Sequence, residues 1–378
     1  DQHWALMGQA GDPAFSDKES WDKARFYSTI QLGDVDGDGA DELLARSAAG
    51  MNTYRWSDSS QNWVLLGKAG DPALSDKAGW DKPQFYSTIQ LGDVDGDGAE
   101  ELLARSSAGM NTYHWDHSSQ GWVLLGKAGD PALSDKAGWD KPQYYSTIQL
   151  EDVDGDGADE LLARSPEGIN TYQWDDSGQS WVLLGKAGDP ALTDKAGWDK
   201  PQFYSTIQLG DVDGDGAEEL LARSASGINT YQWDDSQQGW MLLGIAANPA
   251  LADSDWDKPY DYLTIQTADA DGKKGVELLG RGQYGIRTWF FDTESEAWQR
   301  HQEYGFQAFT GGEKDALELL NALLDLDDDQ TVRATYGTVS ANILSGYKGC
   351  IFSSDQAAEQ ACSSGGQPVN PPTSECTG

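Results

Sequence analysis

Cysteine, histidine and positive charge are all scarce in this chain of 378 residues. The three cysteines, Cys350, Cys362 and Cys376, come late. Everything before Cys350 must therefore fold without a disulfide. Three is odd, so a Cys350–Cys362 bridge is expected, with one thiol left over. Only His3, His114, His117 and His301 occur, and none follows the repeat described below. No GxSxG elbow, P-loop or GxGxxG strand–helix junction is present, so the chain reads as a non-enzyme. Lys plus Arg number 26 against 63 Asp plus Glu, for a formal charge of −37. That balance excludes nucleic acid or an anionic membrane as partners of a basic face. No apolar run approaches the roughly 18 residues of a membrane span, so direct membrane insertion is not expected.

Apolar residues are also few, at 38%, yet 16 Trp and 15 Tyr separate the chain from disordered acidic sequences. What is abundant is repetition. The string DVDGDG begins at Asp34, Asp93, Asp152 and Asp211, 59 residues apart each time, and a degraded DADGKK begins at Asp269, 58 further on. A Trp opens a WxLLG-like segment at Trp63, Trp122, Trp181 and Trp240, with looser copies at Trp4 and Trp298. The phrase WDKPQFYSTIQ and its variants start at Trp21, Trp80, Trp139, Trp198 and Trp256. ARSxxGxNTYxW starts one residue before Arg46, Arg105, Arg164 and Arg223, and Arg281 opens an altered fifth version.

One unit reads as four short strands. FYSTIQLGD is rich in aromatic and β-branched residues and predicts the first strand. ELLARS is helix-prone by composition but too short for a helix with its own face, so it predicts the second. MNTYRW and NWVLLG predict the third and fourth. Four strands per repeat fit the blades of an all-β propeller, in which neighbours cover each blade. Five units are complete. The strand at Trp4 is surplus: it joins a sixth, irregular blade drawn from 300–350, or replaces the weak Trp298 strand and closes the ring. The propeller is expected over residues 1–305. In 311–330, Ala316, Leu317, Leu319, Leu320, Leu323 and Leu324 recur at helical spacing. Residues 306–378 are thus expected to form a helical segment and a loosely ordered, Cys-containing tail.

The acidic strings have the spacing of cation loops. Asp34, Asp36, Asp38, the carbonyl of Ala40, and Glu42 fall at positions 1, 3, 5, 7 and 9. The same positions hold Asp93, Asp95, Asp97, Ala99 and Glu101; Asp152, Asp154, Asp156, Ala158 and Glu160; and Asp211, Asp213, Asp215, Ala217 and Glu219. Hard oxygen donors in this number suit Ca²⁺, whereas Zn²⁺ would want His or Cys. An EF-hand needs a bidentate Glu at position 12, where this chain has Ala45, Ala104, Ala163 and Ala222. The expectation is a strand–loop–strand calcium site in four copies. In the fifth, Lys273 stands at position 5 and is expected to replace the ion.

DxDGDGxxE followed by a short apolar strand resembles the FG-GAP or VCBS repeats of integrin α-subunit propellers, over residues 20–300. The resemblance implies one calcium loop per blade, between the first two strands. It departs in having Glu rather than Asp at position 9. Secreted integrin-like propellers that act as lectins are closer in style, since leg domains and a membrane span are lacking. That likeness implies sugar pockets between blades, glycans or glycoproteins as partners, and an extracellular setting. Loops of this kind in extracellular modules bind calcium with Kd on the order of 10⁻⁴–10⁻³ M and would stand empty in a low-calcium cytosol. An integrin-like protein-binding adhesion module is one alternative. A polysaccharide-acting enzyme, or the targeting part of a larger toxin, is another.

Near-identical units are explained by recent duplication or by several copies of one binding site, which raises avidity for a multivalent surface. Two repeated residues are candidates for contacting a sugar. Trp21, Trp80, Trp139, Trp198 and Trp256 lie in polar connections and offer an aromatic face, although each can equally plug a gap between blades. Arg46, Arg105, Arg164, Arg223 and Arg281 end the ELLAR strand and offer planar donors, although each can equally pair with a nearby Asp.

Overall fold

A computed structural model describes residues 6–248, 251–282 and 285–300. The chain divides into two compact units, Asp1–Arg300 and His301–Gly378. The Trp4 strand, the helix expected at 311–330 and the Cys350–Cys362 bridge all fall outside the described residues. Among those described, no helix is long and apolar enough to cross a membrane.

Among the described residues, the first unit is an all-β propeller arrangement of five consecutive blades, each a four-stranded antiparallel sheet whose strands follow chain order. The first blade comprises β1 (Gln31–Gly33), β2 (Glu42–Ser47), β3 (Gly50–Ser57) and β4 (Asn62–Leu66). The next three repeat it from Gln90, Gln149 and Gln208, and the fifth from Gln266. First strands of successive blades neighbour one another. The side-chain amide of Gln in each of the first four blades donates to the next blade: Gln31 to Ile89 O at 2.9 Å, Gln90 to Ile148 O at 3.0 Å, and Gln149 and Gln208 likewise.

The second strand is indeed a strand, and its burial explains its composition. In the second blade Glu101 to Arg105 are all buried, so both faces are covered and no polar alternation is needed. Leu102 and Ala104 pack toward the first blade with Leu44 and Met51. Leu103 packs toward the third with Leu161 and Ala163. The fourth strands of the second to fifth blades add a staple across the junction: Trp122 Nε1–H donates to Thr53 Oγ1 of the preceding blade at 3.0 Å.

The first strand is shorter than the sequence reading. Only Gln-Leu-Gly is extended, while Phe and Tyr lie in one-turn helices such as Pro83–Tyr86. Proline at the first helical position favours that turn. The rest of the expected strand is displaced by a threonine. Thr88 Oγ1 donates to Phe85 O at 2.8 Å and accepts from Arg105 N–H at 3.1 Å. The hydroxyl thus takes the place of a ladder carbonyl, and pairing starts only at Gln90–Leu103.

The two ends differ from the internal junctions. Leu32 is 59% exposed where its counterpart Leu209 is 6%, and Ile286 is 68% exposed where Ile228 is 1%. Tyr27 and Ile30 are exposed beside Leu32. The leading face of the first blade and the trailing face of the fifth are the two halves of the interface that the four internal junctions bury.

Candidate metal centres and ligand-binding residues

Each carboxylate loop is organised by its own backbone. In the second blade Gly96 and Gly98 take φ of 72° and 91°, the left-handed region that glycine enters without a Cβ penalty. Asp93 Oδ1 then accepts from the N–H of Gly96 at 2.8 Å, and Oδ2 from that of Gly98 at 2.9 Å. Asp95 Oδ1 accepts from Asp97 N–H at 3.2 Å. Glu101 comes from the start of the second strand, is 3% exposed, and accepts from Val94 N–H at 3.2 Å. Ligand atoms of Asp93, Asp95 and Glu101 lie within 4.8 Å of one another. So do those of Asp34, Asp36 and Glu42; of Asp152, Asp154 and Glu160; of Asp211, Asp213 and Glu219; and of Asp269, Asp271 and Glu277.

The position-5 carboxylates stand apart from these groups. Asp97, Asp156 and Asp215 are exposed, and each caps the N–H of the Ala two residues on, at 2.9 to 3.0 Å. Asp38 does the same for Ala40 at 3.0 Å. The structure thus assembles positions 1, 3 and 9 and uses position 5 to hold the turn that carries Ala40, Ala99, Ala158 and Ala217.

Electrostatics show what the groups lack. Glu42, Glu160 and Glu219 are wholly buried, and one oxygen of each has no hydrogen-bond partner. A buried carboxylate in that state carries a large desolvation cost unless a cation or a proton compensates it. Burial, then the charge of Asp95, pushes Glu101 up to about 9. Burial, then Asp154, does the same to Glu160, also to about 9. Burial takes Glu219 to about 8 and Glu42 to about 7. A divalent cation supplies the charge that a proton supplies otherwise, and an all-oxygen donor set fits Ca²⁺.

Adjacent loops touch, which the sequence reading missed. The position-8 N–H of one loop donates to the position-1 carbonyl of the loop before: Glu100 to Asp34 O at 2.8 Å, Asp159 to Asp93 O at 2.7 Å, Glu218 to Asp152 O at 2.9 Å. The residue at position 1 of one loop is therefore also the anchor of the next. The position-8 side chains crowd the same junction. A Cβ at Gly33 would lie 1.9 Å from Glu100 Oε2, so glycine makes room for that carboxylate. Burial first, then neighbouring carboxylates, pushes Glu100 up to about 7 and Glu218 to about 8. The signal was present as an acid at position 8 in four copies.

Two loops contain a cation of their own. Lys273 Nζ lies 2.6 Å from Asp271 Oδ2, but its ammonium sits at the rim, 75% exposed, rather than at the centre of the carboxylates. In the first blade Arg55 enters the group: its Nε donates to Glu42 Oε1 at 2.8 Å and its Nη2 contacts Asp36 Oδ2.

The structure corrects most of the sugar-contact expectations. Arg46, Arg105, Arg164 and Arg223 are wholly buried. Arg105 donates from Nε to Leu133 O at 2.7 Å, from Nη1 to Gln84 O at 2.9 Å, and from Nη2 to Asp135. Arg46, Arg164 and Arg223 repeat this with Asp76, Asp194 and Asp253. Each guanidinium ties its strand to the incoming helix and the outgoing connection, leaving no surface for a sugar. Arg281 keeps an exposed side chain, 3.5 Å from Asp261 Oδ1. Trp80, Trp139, Trp198 and Trp256 are buried; Trp80 packs between the first two blades with Leu74 and Phe85. A ring covered on both faces is no platform for a ligand. Trp21 differs: it is half-buried, stacks on Phe15 at 4.1 Å, and lines a cavity of about 390 Å³ with Glu19, Lys23, Arg25 and Ser47.

No protein-family model matches the chain. Among solved structures, an Agrocybe aegerita lectin described as specifically recognising non-reducing terminal N-acetylglucosamine is similar in fold. Its TM-score is 0.56 at 13% identity, covering 71% of this chain and 64% of the lectin. The chain therefore spans just under two thirds of that lectin's length. The Dos1 propeller matches more distantly, with a TM-score of 0.38 at 13% identity over 72% of this chain and 60% of its own.

Proposed function

We propose that this chain is a secreted, calcium-stabilised propeller of the FG-GAP or VCBS type that binds carbohydrate. The observation that carries the calcium reading is the wholly buried, unpartnered glutamate oxygen at the head of an acidic loop, repeated in Glu160 and Glu219; Glu42 has one as well, but its other oxygen accepts from Arg55. Calcium is held in the second, third and fourth blades by positions 1, 3 and 9, with position 5 and the Ala carbonyl completing the loop. The fifth loop, with Lys273 at position 5, is metal-free. Binding the ion fixes Asp93, Asp152 and Asp211, whose carbonyls anchor the next blade. The role of the metal is therefore to pin blades together.

Carbohydrate binding is supported by the fold shared with an N-acetylglucosamine-binding lectin and by the cavity beside Trp21. That cavity combines an aromatic face with charged and hydroxyl groups able to meet sugar hydroxyls. Titration with N-acetylglucosamine in millimolar calcium, followed by calorimetry and by a glycan array, tests the reading. Saturable binding is expected, and Trp21→Ala should weaken it at least about tenfold, as loss of a central aromatic contact does, while leaving calcium uptake intact. An array blank in calcium would overturn the carbohydrate reading, and an unaffected Trp21→Ala variant would overturn the placement of the site.

A further inference from the structure

We infer that Arg55 is the built-in cation of the first carboxylate loop, so that this loop takes no calcium although its DxDGDGxxE sequence is intact. The inference rests on the calcium reading above and sharpens it. Strand register brings the side chain in: Tyr54 pairs with Leu43, which sets Arg55 beside Glu42 at the head of the second strand. The guanidinium then spans the group. Nε donates to Glu42 Oε1 at 2.8 Å, and Nη2 contacts Asp36 Oδ2 and lies 3.4 Å from Asp38 Oδ2. These carboxylates are positions 9, 3 and 5 of the loop; the bond to Glu42 is a hydrogen bond, and those to Asp36 and Asp38 are charge contacts. Glu42 and Asp36 have side chains 0% and 5% exposed, and the Nη2 atom itself is buried with them. A planar guanidinium presents donors in a fixed fork matched to carboxylates.

The other blades lack this device. The equivalent register positions, one residue beyond Tyr113, Tyr172 and Tyr231, hold His114, Gln173 and Gln232, and the fifth blade has Phe290. Asp95, Asp154 and Asp213 accept from the N–H of their position-5 residue at 3.2 Å or closer, whereas Asp36 faces Arg55. The first blade is therefore pinned permanently, and the second to fourth only when calcium is present.

Calcium bound per chain, measured on the full chain by equilibrium dialysis with elemental analysis, tests this. Asp36→Asn should leave the wild-type count unchanged, while Asp95→Asn should lower it by one. Arg55→Gln, which installs the residue of the third and fourth blades, should raise the count by one, and Arg55→His serves if that variant folds poorly. In chelator, Arg55→Gln should melt below wild type, and calcium should restore it. A wild-type count that drops by one on Asp36→Asn, or no gain on Arg55→Gln and Arg55→His, would overturn the inference while leaving calcium binding in place. No calcium on any variant would instead overturn the calcium reading itself.

Discussion

Chelation of calcium is expected to lower the melting temperature of this protein on the order of 10 °C or more. At about 10 mM calcium, roughly ten- to a hundredfold above a Kd on the order of 10⁻⁴–10⁻³ M, each site stabilises the folded state by about 1.4–2.7 kcal/mol. Chains of this size shift by roughly 2–4 °C per kcal/mol. The loss should deepen with pH. Without the ion, Glu101 and Glu160 sit near 9 and Glu219 near 8, all above the ordinary 4.5. The folded state then binds more protons than the unfolded one. Protonation supports the fold fully below pH about 4.5 and ceases to do so as pH rises through about 8 to 9. The chelated protein should therefore melt progressively lower from pH 5 to 9, while the calcium-loaded protein changes little. Scanning calorimetry across that range, with and without chelator, decides it. Identical melts at pH 8 would count against structural calcium.

The second large effect is expected at a buried arginine. Arg105→Lys should cost about 3–5 kcal/mol, the usual consequence of breaking a buried charged network. Its three donor contacts go to Leu133 O, Gln84 O and Asp135, in two separate connecting segments. A single ammonium cannot reach all three, so the charge-conserving change should give little relief relative to Arg105→Met. Urea denaturation in saturating calcium measures this without a contribution from the metal sites. A loss below about 1 kcal/mol, the range of an exposed ion pair, would show that the network is not a structural tie.

Much of the fold was legible because its signals are local and repeated. The 59-residue beat, the DVDGDG turns and the two-faced ELLAR strand each imply a blade whose cover comes from its neighbours. The first strand was over-read because β-branched Thr88 favours an extended chain in isolation. Only the fold reveals that its hydroxyl replaces a ladder carbonyl. The grouping of the carboxylates at positions 1, 3 and 9 followed from spacing, but the separate placing of position 5 depends on which N–H groups each carboxylate caps. Arg46, Arg105, Arg164 and Arg223 misled as candidate sugar contacts. Their recurrence is equally the mark of a repeated internal tie, and only burial separates the two. Arg55 carried a signal of its own, a charge present in one copy of an otherwise neutral strand position, but its meaning required the register that places it against Glu42.

The most direct measurement is an anomalous-difference map from crystals grown in calcium, recorded at a wavelength where the ion scatters strongly. The account predicts one peak among Asp93, Asp95 and Glu101 and one at each equivalent group in the third and fourth blades. It predicts none beside Arg55. Crystals soaked in millimolar calcium that show no peak in any of these acidic turns would contradict it.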